Sequence, residues 1–291
     1  MCCAGCGVKE DDDITLKKCT ACYLVKYCSV KCQREHRPQH KRACKKRAAE
    51  LRDEILFKQP ESSHHGDCPI CCLPLPVDQE KMMMKACCCK FICDGCDLAN
   101  WQREEEGKLE HKCPFCRQPE MDDEAEVKNY MKRIEANDPF AMYQMSVICT
   151  EEGDFKSAVD YMSRSAALGN ADAHYNLSHF YHEGQGVNVD KKKVLYHLEE
   201  AAICGHPLAR HNLAMLEGRN GREDRGYKHM IIAANMGFDL SLACLKDEYK
   251  HGLVSNEVLA SAIRGYQAAV NATKSPKREE AEAQKRRNRE S

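Results

Sequence analysis

The chain has a single tryptophan, and aromatic residues make up only 7% of its 291 positions. No stretch approaches the roughly 18 consecutive apolar residues of a membrane-spanning helix, so a membrane partner is excluded. The opening "MCCAGCGVKEDDD" has no apolar stretch, and no secretory leader is expected from it. Charge of neither sign prevails, with 44 basic against 45 acidic residues. That removes the global electrostatic argument for a nucleic-acid partner. Phosphate-cradling loops, nucleophile elbows and catalytic-zinc spacings are also missing. Cysteine nearly vanishes after residue 116, where only Cys149, Cys204 and Cys244 remain.

Before that point cysteine is abundant: 18 of the 21 lie between Cys2 and Cys116. Disulfides and metal are the two chemistries that use cysteine so densely. Without a leader the expected compartment is reducing, cytoplasmic or nuclear, which favours zinc. The expected boundaries are a first cysteine-rich finger at 1–46, a linker helix and polar linker at 47–66, a second finger at 67–119, helical repeats at 120–272 and a charged tail at 273–291. Ala48, Leu51 and Ile55 stand at helical spacing in "KRACKKRAAELRDEILFK", which therefore extends the first unit. "QPESSHHG" (59–66) is a polar breaker, with His64 and His65 read as linker. The tail has almost no apolar residues and is expected to be disordered or frayed helix.

The third part repeats itself. "SAALG", "AAICG" and "AANMG" end on Gly169, Gly205 and Gly237, spaced 36 and 32 residues apart. Four residues past each glycine stands a small residue (Ala173, Ala209, Ser241), and eight past it a leucine (Leu177, Leu213, Leu245). An earlier copy starts at Asn137, with Ala141 and Met145 in phase. Such periods mean stacked helix pairs. The small residues let helices approach, and the glycine suits a left-handed helix C-cap. "GQGVNVD" (184–190) is the turn within one repeat, and His174, His179, His182 and His211 are expected to face solvent or a groove. The third copy has a shortened turn, and the last has Cys244 where two others have Asn176 and Asn212. The pattern resembles Sel1-like repeats, relatives of the tetratricopeptide repeat, over roughly 135–270. The resemblance implies a protein-binding scaffold.

In the first unit the spacings are Cys3-x2-Cys6, Cys19-x2-Cys22, Cys28-x3-Cys32 and His40-x3-Cys44. Zinc takes four N or S donors in a tetrahedron. A Cys-x2-Cys turn presents two sulfurs to one ion, and residues one helical turn apart share a face. Metal binding then supplies the folding energy that so few aliphatic residues cannot. "CTACYLVKYCSVKCQREHRPQHKRAC", with Tyr27, Gln33, His36, His40 and Lys41 in frame, looks like a MYND finger. The resemblance implies interleaved zincs: Cys3, Cys6, Cys28 and Cys32 on one, Cys19, Cys22, His40 and Cys44 on the other. Cys2 beside Cys3 leaves the first donor open by one position. The family's usual ligands are proline-containing peptides of partner proteins. Eight basic residues between Lys31 and Arg47 face one acid, Glu35. They are read as a solvated helix face rather than a phosphate-binding stripe.

The second unit contains Cys68-x2-Cys71, the triplet Cys87–Cys89, Cys93-x2-Cys96 and Cys113-x2-Cys116. "CPIC" and "CPFCR" resemble a RING finger over roughly 68–118. Interleaving gives Cys68, Cys71, Cys93 and Cys96 to one zinc, and Cys113, Cys116 and two of the triplet to the other. Lys90 stands where the family has histidine, and an ammonium has no lone pair to donate. Alternation along an extended chain favours Cys87 with Cys89; all-cysteine relatives favour Cys87 with Cys88, and the choice leans to Cys88 with Cys89 as the alternative. His111 is an outside candidate, and Cys72 is a spare thiol or small core residue. RING fingers hold a ubiquitin-loaded conjugating enzyme in a reactive pose, a contribution of positioning rather than covalent chemistry. The resemblance assigns that contact to Ile70, Trp101, Pro114 and Arg117.

The expected fold class is small zinc-stabilised α+β fingers, MYND-like and RING-like, followed by an all-α helical-repeat solenoid. The expected function is a RING-type ubiquitin ligase with four structural Zn2+ ions and no catalytic residue of its own. It would bind a ubiquitin-conjugating enzyme and recruit substrate or adaptor proteins through the repeats and the MYND-like finger. The alternative is a non-enzymatic protein–protein interaction adaptor.

Overall fold

The structure is a computed structural model, and it describes residues 1–290. The chain forms two compact units, Met1–Lys58 and Gln59–Ser291. Together they make a cysteine-rich N-terminal zinc-binding region followed by a helical-repeat solenoid, with a few short strands.

The first unit has an antiparallel pair, β1 (Lys17–Lys18) with β2 (Lys26–Tyr27), and a long helix, α1 (Val30–Leu56). Ser29 caps α1: its side chain accepts the Cys32 N–H at 3.2 Å, satisfying one of the orphan donors of a helix start. The helix runs without a break from the finger into the segment expected to extend it, passing through Pro38. Its core is small: Cys3, Leu16, Cys19, Cys22, Tyr27 and Cys32 are buried together. Leu16 is the one aliphatic side chain among them, so the packed interior is mostly sulfur.

The second unit opens with a hairpin of β3 (Met82–Lys85) and β4 (Lys90–Cys93), register Met82↔Cys93, followed by α2 (Asp94–Glu106). Then come α3 (Asp123–Glu135), α4 (Pro139–Glu151), α5 (Phe155–Ala167), α6 (Ala171–Glu183), α7 (Lys191–Ile203), α8 (Pro207–Arg219), α9 (Glu223–Asn235), α10 (Asp239–Lys250) and α11 (Asn256–Ala272). The pairs α4–α5, α6–α7 and α8–α9 pack as hairpins, and each packs on the next.

The repeat residues take the places their spacing predicts. Ala141, Ala173, Ala209 and Ser241 have no exposed surface, and Leu177, Leu213 and Leu245 are at most 1% exposed. Gly169, Gly205 and Gly237 have φ of 86°, 85° and 87°, and Asn137 reaches the same left-handed region at 58°. Asn tolerates that region better than most side chains. Asn176 Nδ2 donates to Tyr143 Oη at 3.1 Å, and Asn212 Nδ2 donates to Tyr175 Oη at 3.3 Å. Each asparagine thus ties its repeat to the one before. Cys244 replaces this donor in the last copy.

Two sequence expectations fail here. The charged tail is not disordered: Pro276–Glu290 is helix α12 and packs on α2. Its apolar content is too low for a core, but its charges find partners across the interface. His174 is buried rather than turned to solvent, with Nδ1 3.0 Å from His197 Nδ1.

Candidate metal centres

Each Cys-x2-Cys pair read as a metal turn from Cys3, Cys19, Cys68 and Cys113 is built the same way. The residue after the second cysteine is left-handed: Gly7 (φ 79°), Tyr23 (57°), Cys72 (55°) and Arg117 (62°). Its N–H returns to the carbonyl of the first cysteine, at 2.9 Å for Gly7 and Tyr23, 2.8 Å for Cys72 and 3.0 Å for Arg117. The first cysteine's own N–H is bonded further along the turn: Cys3 to Val8 O, Cys68 to Leu73 O and Cys113 to Gln118 O, at 2.8, 2.9 and 2.8 Å. Three of the turns are closed by isolated bridges, Cys2↔Lys9, Asp67↔Pro74 and Lys112↔Pro119. A left-handed non-glycine residue costs about 1–2 kcal/mol. The chain bears that cost in three of the four turns because the fold brings both sulfurs to one side.

The sulfurs converge in four sets whose donor atoms lie within 4.8 Å of one another: Cys3, Cys6, Cys28 and Cys32; Cys19, Cys22, His40 and Cys44; Cys68, Cys71, Cys93 and Cys96; Cys87, Cys88, Cys113 and Cys116. Cys6–Cys28 and Cys28–Cys32 are 3.6 Å apart, Cys19–Cys44 and Cys71–Cys93 3.8 Å, Cys88–Cys113 3.9 Å, and Cys87–Cys116 3.3 Å. A tetrahedron with Zn–S near 2.3 Å has sulfur–sulfur edges of about 3.8 Å, whereas a disulfide is about 2.05 Å. All the cysteines are free thiols. His40 Nε2 lies 3.2 Å from Cys22 Sγ, and His40 and Cys44 share one face of α1 with Cys32 lower on the helix. Tyr27 Oη meets His36 Nδ1 at 3.1 Å, and the His36 ring stacks on His40. The Cys28 N–H donates to Cys3 Sγ, bringing that thiol down to about 6. The side chain of Cys93 does the same for Cys68, down to about 4, while Cys93 itself is pushed up.

The triplet resolves by local backbone. Residues 86–89 form a turn, not an extended strand, and the Cys89 N–H closes it on Lys85 O at 2.8 Å. Alternation therefore does not apply, and adjacent Cys87 and Cys88 both reach Cys113 and Cys116. Cys89 is left-handed (φ 51°) and points away into an apolar cluster with Tyr130, Ile134 and Met142. Cys2 is exposed and outside its set, as is Cys72. Lys90 is exposed. His111 stacks on Trp101 with an interplanar angle of 3° and pairs with Glu104 and Glu105.

Of the residues assigned to a conjugating enzyme, Ile70 and Trp101 are exposed, 41% and 47%, and Pro114 is half-buried. Arg117 is engaged: it donates to Asn100 Oδ1 at 2.8 Å and pairs with the buried Glu104 at 3.1 Å. On α1, Arg47 is answered by Glu50 and Glu54, which interrupts the basic stripe.

One cluster was not visible in the sequence. His64 Nε2 and His206 Nε2 lie 3.1 and 3.5 Å from Asp172 Oδ1, all three nearly buried. No spacing signal links residues more than 100 positions apart. His206 Nδ1 accepts the Ala209 N–H as the cap of α8, so its proton sits on Nε2 and points at Asp172. Hydrogen bonds to Asp172 join the two rings, while the buried His64 Nδ1 has no partner. The cluster fastens 59–66 to the repeats, together with His64 N–H to Gly205 O at 3.1 Å. The expected free linker is an ordered strap.

Comparison with known proteins follows the two halves of this architecture. The MYND finger model matches residues 3–44, and the Sel1 repeat model matches 139–170 and 171–206. Similar solved structures include a Sel1 repeat protein from Oxalobacter formigenes, 22% identical with a TM-score of 0.46, covering 53% of this chain and 48% of that one. Another is c5321, a protective antigen of uropathogenic Escherichia coli strains displaying an SLR fold, 21% identical with a TM-score of 0.39, covering 57% and 36%. The chain thus spans about half or less of either structure's length. No curated protein matches it. Among the described residues no helix is long and apolar enough to cross a membrane. The chain therefore carries a MYND finger at residues 3–44 followed by Sel1 repeats at 139–206.

Proposed function

We propose that this protein is a zinc-built modular ligase component: a RING-type ubiquitin ligase whose second cysteine-rich unit positions a ubiquitin-loaded conjugating enzyme. The Sel1 repeats and the MYND finger recruit substrate or adaptor proteins. Each of the four donor sets holds one structural Zn2+, sixteen ligands in all, with Cys88 completing the fourth. Zinc here supplies folding energy and rigidity. With four protein donors each, the sites keep no open position for a reacting water.

The observation that carries this reading is the exposure of Ile70 in the Cys68–Cys71 turn and Trp101 on α2. A tryptophan presented on a rigid metal-braced frame suits partner binding, because interface hot spots are enriched in that residue. Ile70→Ala is expected to lower ubiquitin transfer about tenfold, the loss of one hot-spot contact, with zinc content unchanged. Autoubiquitination by zinc-loaded full-length protein against a panel of conjugating enzymes tests it. Silence with every enzyme rejects the ligase. One observation favours the second reading, a non-enzymatic adaptor: Arg117 is spent on Asn100 and Glu104 instead of standing free for ubiquitin.

A further inference from the structure

Helix α12 makes a contact that neither the metal geometry nor the repeat packing requires. It crosses α2 at Gly95, where an added Cβ would lie 2.7 Å from the Arg278 backbone nitrogen. Polar pairs at or near the surface surround this crossing: Gln102 Nε2 donates to Glu280 at 2.9 Å, Lys285 pairs with Asp94 at 2.7 Å, and Arg289 pairs with Glu80 at 2.8 Å. Each such surface pair is worth little. Arg278 is different. It is half-buried, its Nη1 donates to Pro74 O at 2.7 Å and Thr273 O at 2.8 Å, and its Nη2 donates to Leu73 O at 3.2 Å and Cys71 Sγ at 3.3 Å. Leu73 O also accepts the Cys68 N–H that shapes the knuckle. One guanidinium therefore holds the second cysteine of this turn and the two residues that close it, from more than 200 residues away.

We propose that α12 is a clasp on the Cys68–Cys71–Cys93–Cys96 set, and that Arg278 is its positioning residue. It slows release of the metal and holds the loop that presents Ile70. The inference rests on reading that set as a zinc site. An N–H donated to a ligating thiolate draws charge from the sulfur and makes it a poorer target for protons, chelators and electrophiles. The bonds to Leu73 and Pro74 oppose local opening of the turn. The planar fork of arginine reaches these acceptors together, which a lysine ammonium does not.

The test is iodoacetamide labelling of zinc-loaded full-length protein, mapped cysteine by cysteine, with a chelator present. In Arg278→Ala, Cys68, Cys71, Cys93 and Cys96 are expected to label about tenfold faster, the effect of one charge-assisted bond. Cys87, Cys88, Cys113 and Cys116 should keep their rates. Arg278→Lys should recover part of the protection. Gly95→Ala, a favourable change for an isolated helix, should reproduce the loss by lifting α12 away. Unchanged labelling at Cys71 in Arg278→Ala, or equal acceleration in both sets, would overturn the clasp. If Cys68 and Cys71 in the unaltered protein label as fast as exposed Cys204, the zinc reading of that set itself fails.

Discussion

Cys88 and Cys89 are neighbours in the chain, yet their sulfurs serve different ends. Cys88 Sγ faces Cys113 at 3.9 Å, whereas Cys89 is packed against Tyr130 and Ile134. Cys88→Ser is expected to lower bound zinc by about one ion, from four donors per ion, while Cys89→Ser leaves the count unchanged; atomic emission on desalted protein reads the difference. The sequence narrowed the choice to these two but could not settle it, because the deciding fact is a turn at 86–89 where alternation would need a strand. Neither did the sequence foresee the role of the strap histidines. Burial pushes His65 down to about 3, and both its ring nitrogens lack partners. The unfolded chain takes up its proton near 6.5 and the folded chain does not, so stability is full above that pH and falls as acid is added. Between pH 7 and 5.5 this amounts to about 1 kcal/mol. His65→Gln should flatten the urea-unfolding stability over that window by the same amount; an unchanged pH slope would show that His65 titrates alike in both states.

At the scale of elements, the repeats were the most legible part. Their small residues and glycines recur because helix packing and left-handed caps impose the same local demand in every copy. Ala209, with no exposed surface, should not accept a larger side chain: Ala209→Leu is expected to cost about 1–3 kcal/mol by overpacking, read as a lowered urea midpoint. No loss would mean the helices there are loosely packed. The knuckles were legible as Cys-x2-Cys but not as a shared backbone form, since Gly7, Tyr23, Cys72 and Arg117 have nothing in common as residues. The tail was misread for a physical reason. Composition reports whether a segment can build its own core, and α12 builds none; it borrows partners from α2 and the Cys68–Cys71 turn.

For the whole molecule, metal and repeats divide the work of folding. The first unit has almost no aliphatic interior, so its order depends on its donor sets. The solenoid packs alanine, leucine and methionine and holds no donor set of its own among the described residues beyond the hydrogen-bonded His64–Asp172–His206 tie. Removing zinc with a chelator should therefore erase the fingers and leave most of the helical signal, measured by circular dichroism; loss of all helix together would contradict that division. The most direct measurement is the number of zinc ions per chain, by native mass spectrometry of protein purified without added chelator. Four are expected, from four donors at each of four sets. A count of about two, confined to the MYND finger, would contradict that expectation, leaving the second cysteine-rich unit without the frame on which the proposed ligase depends.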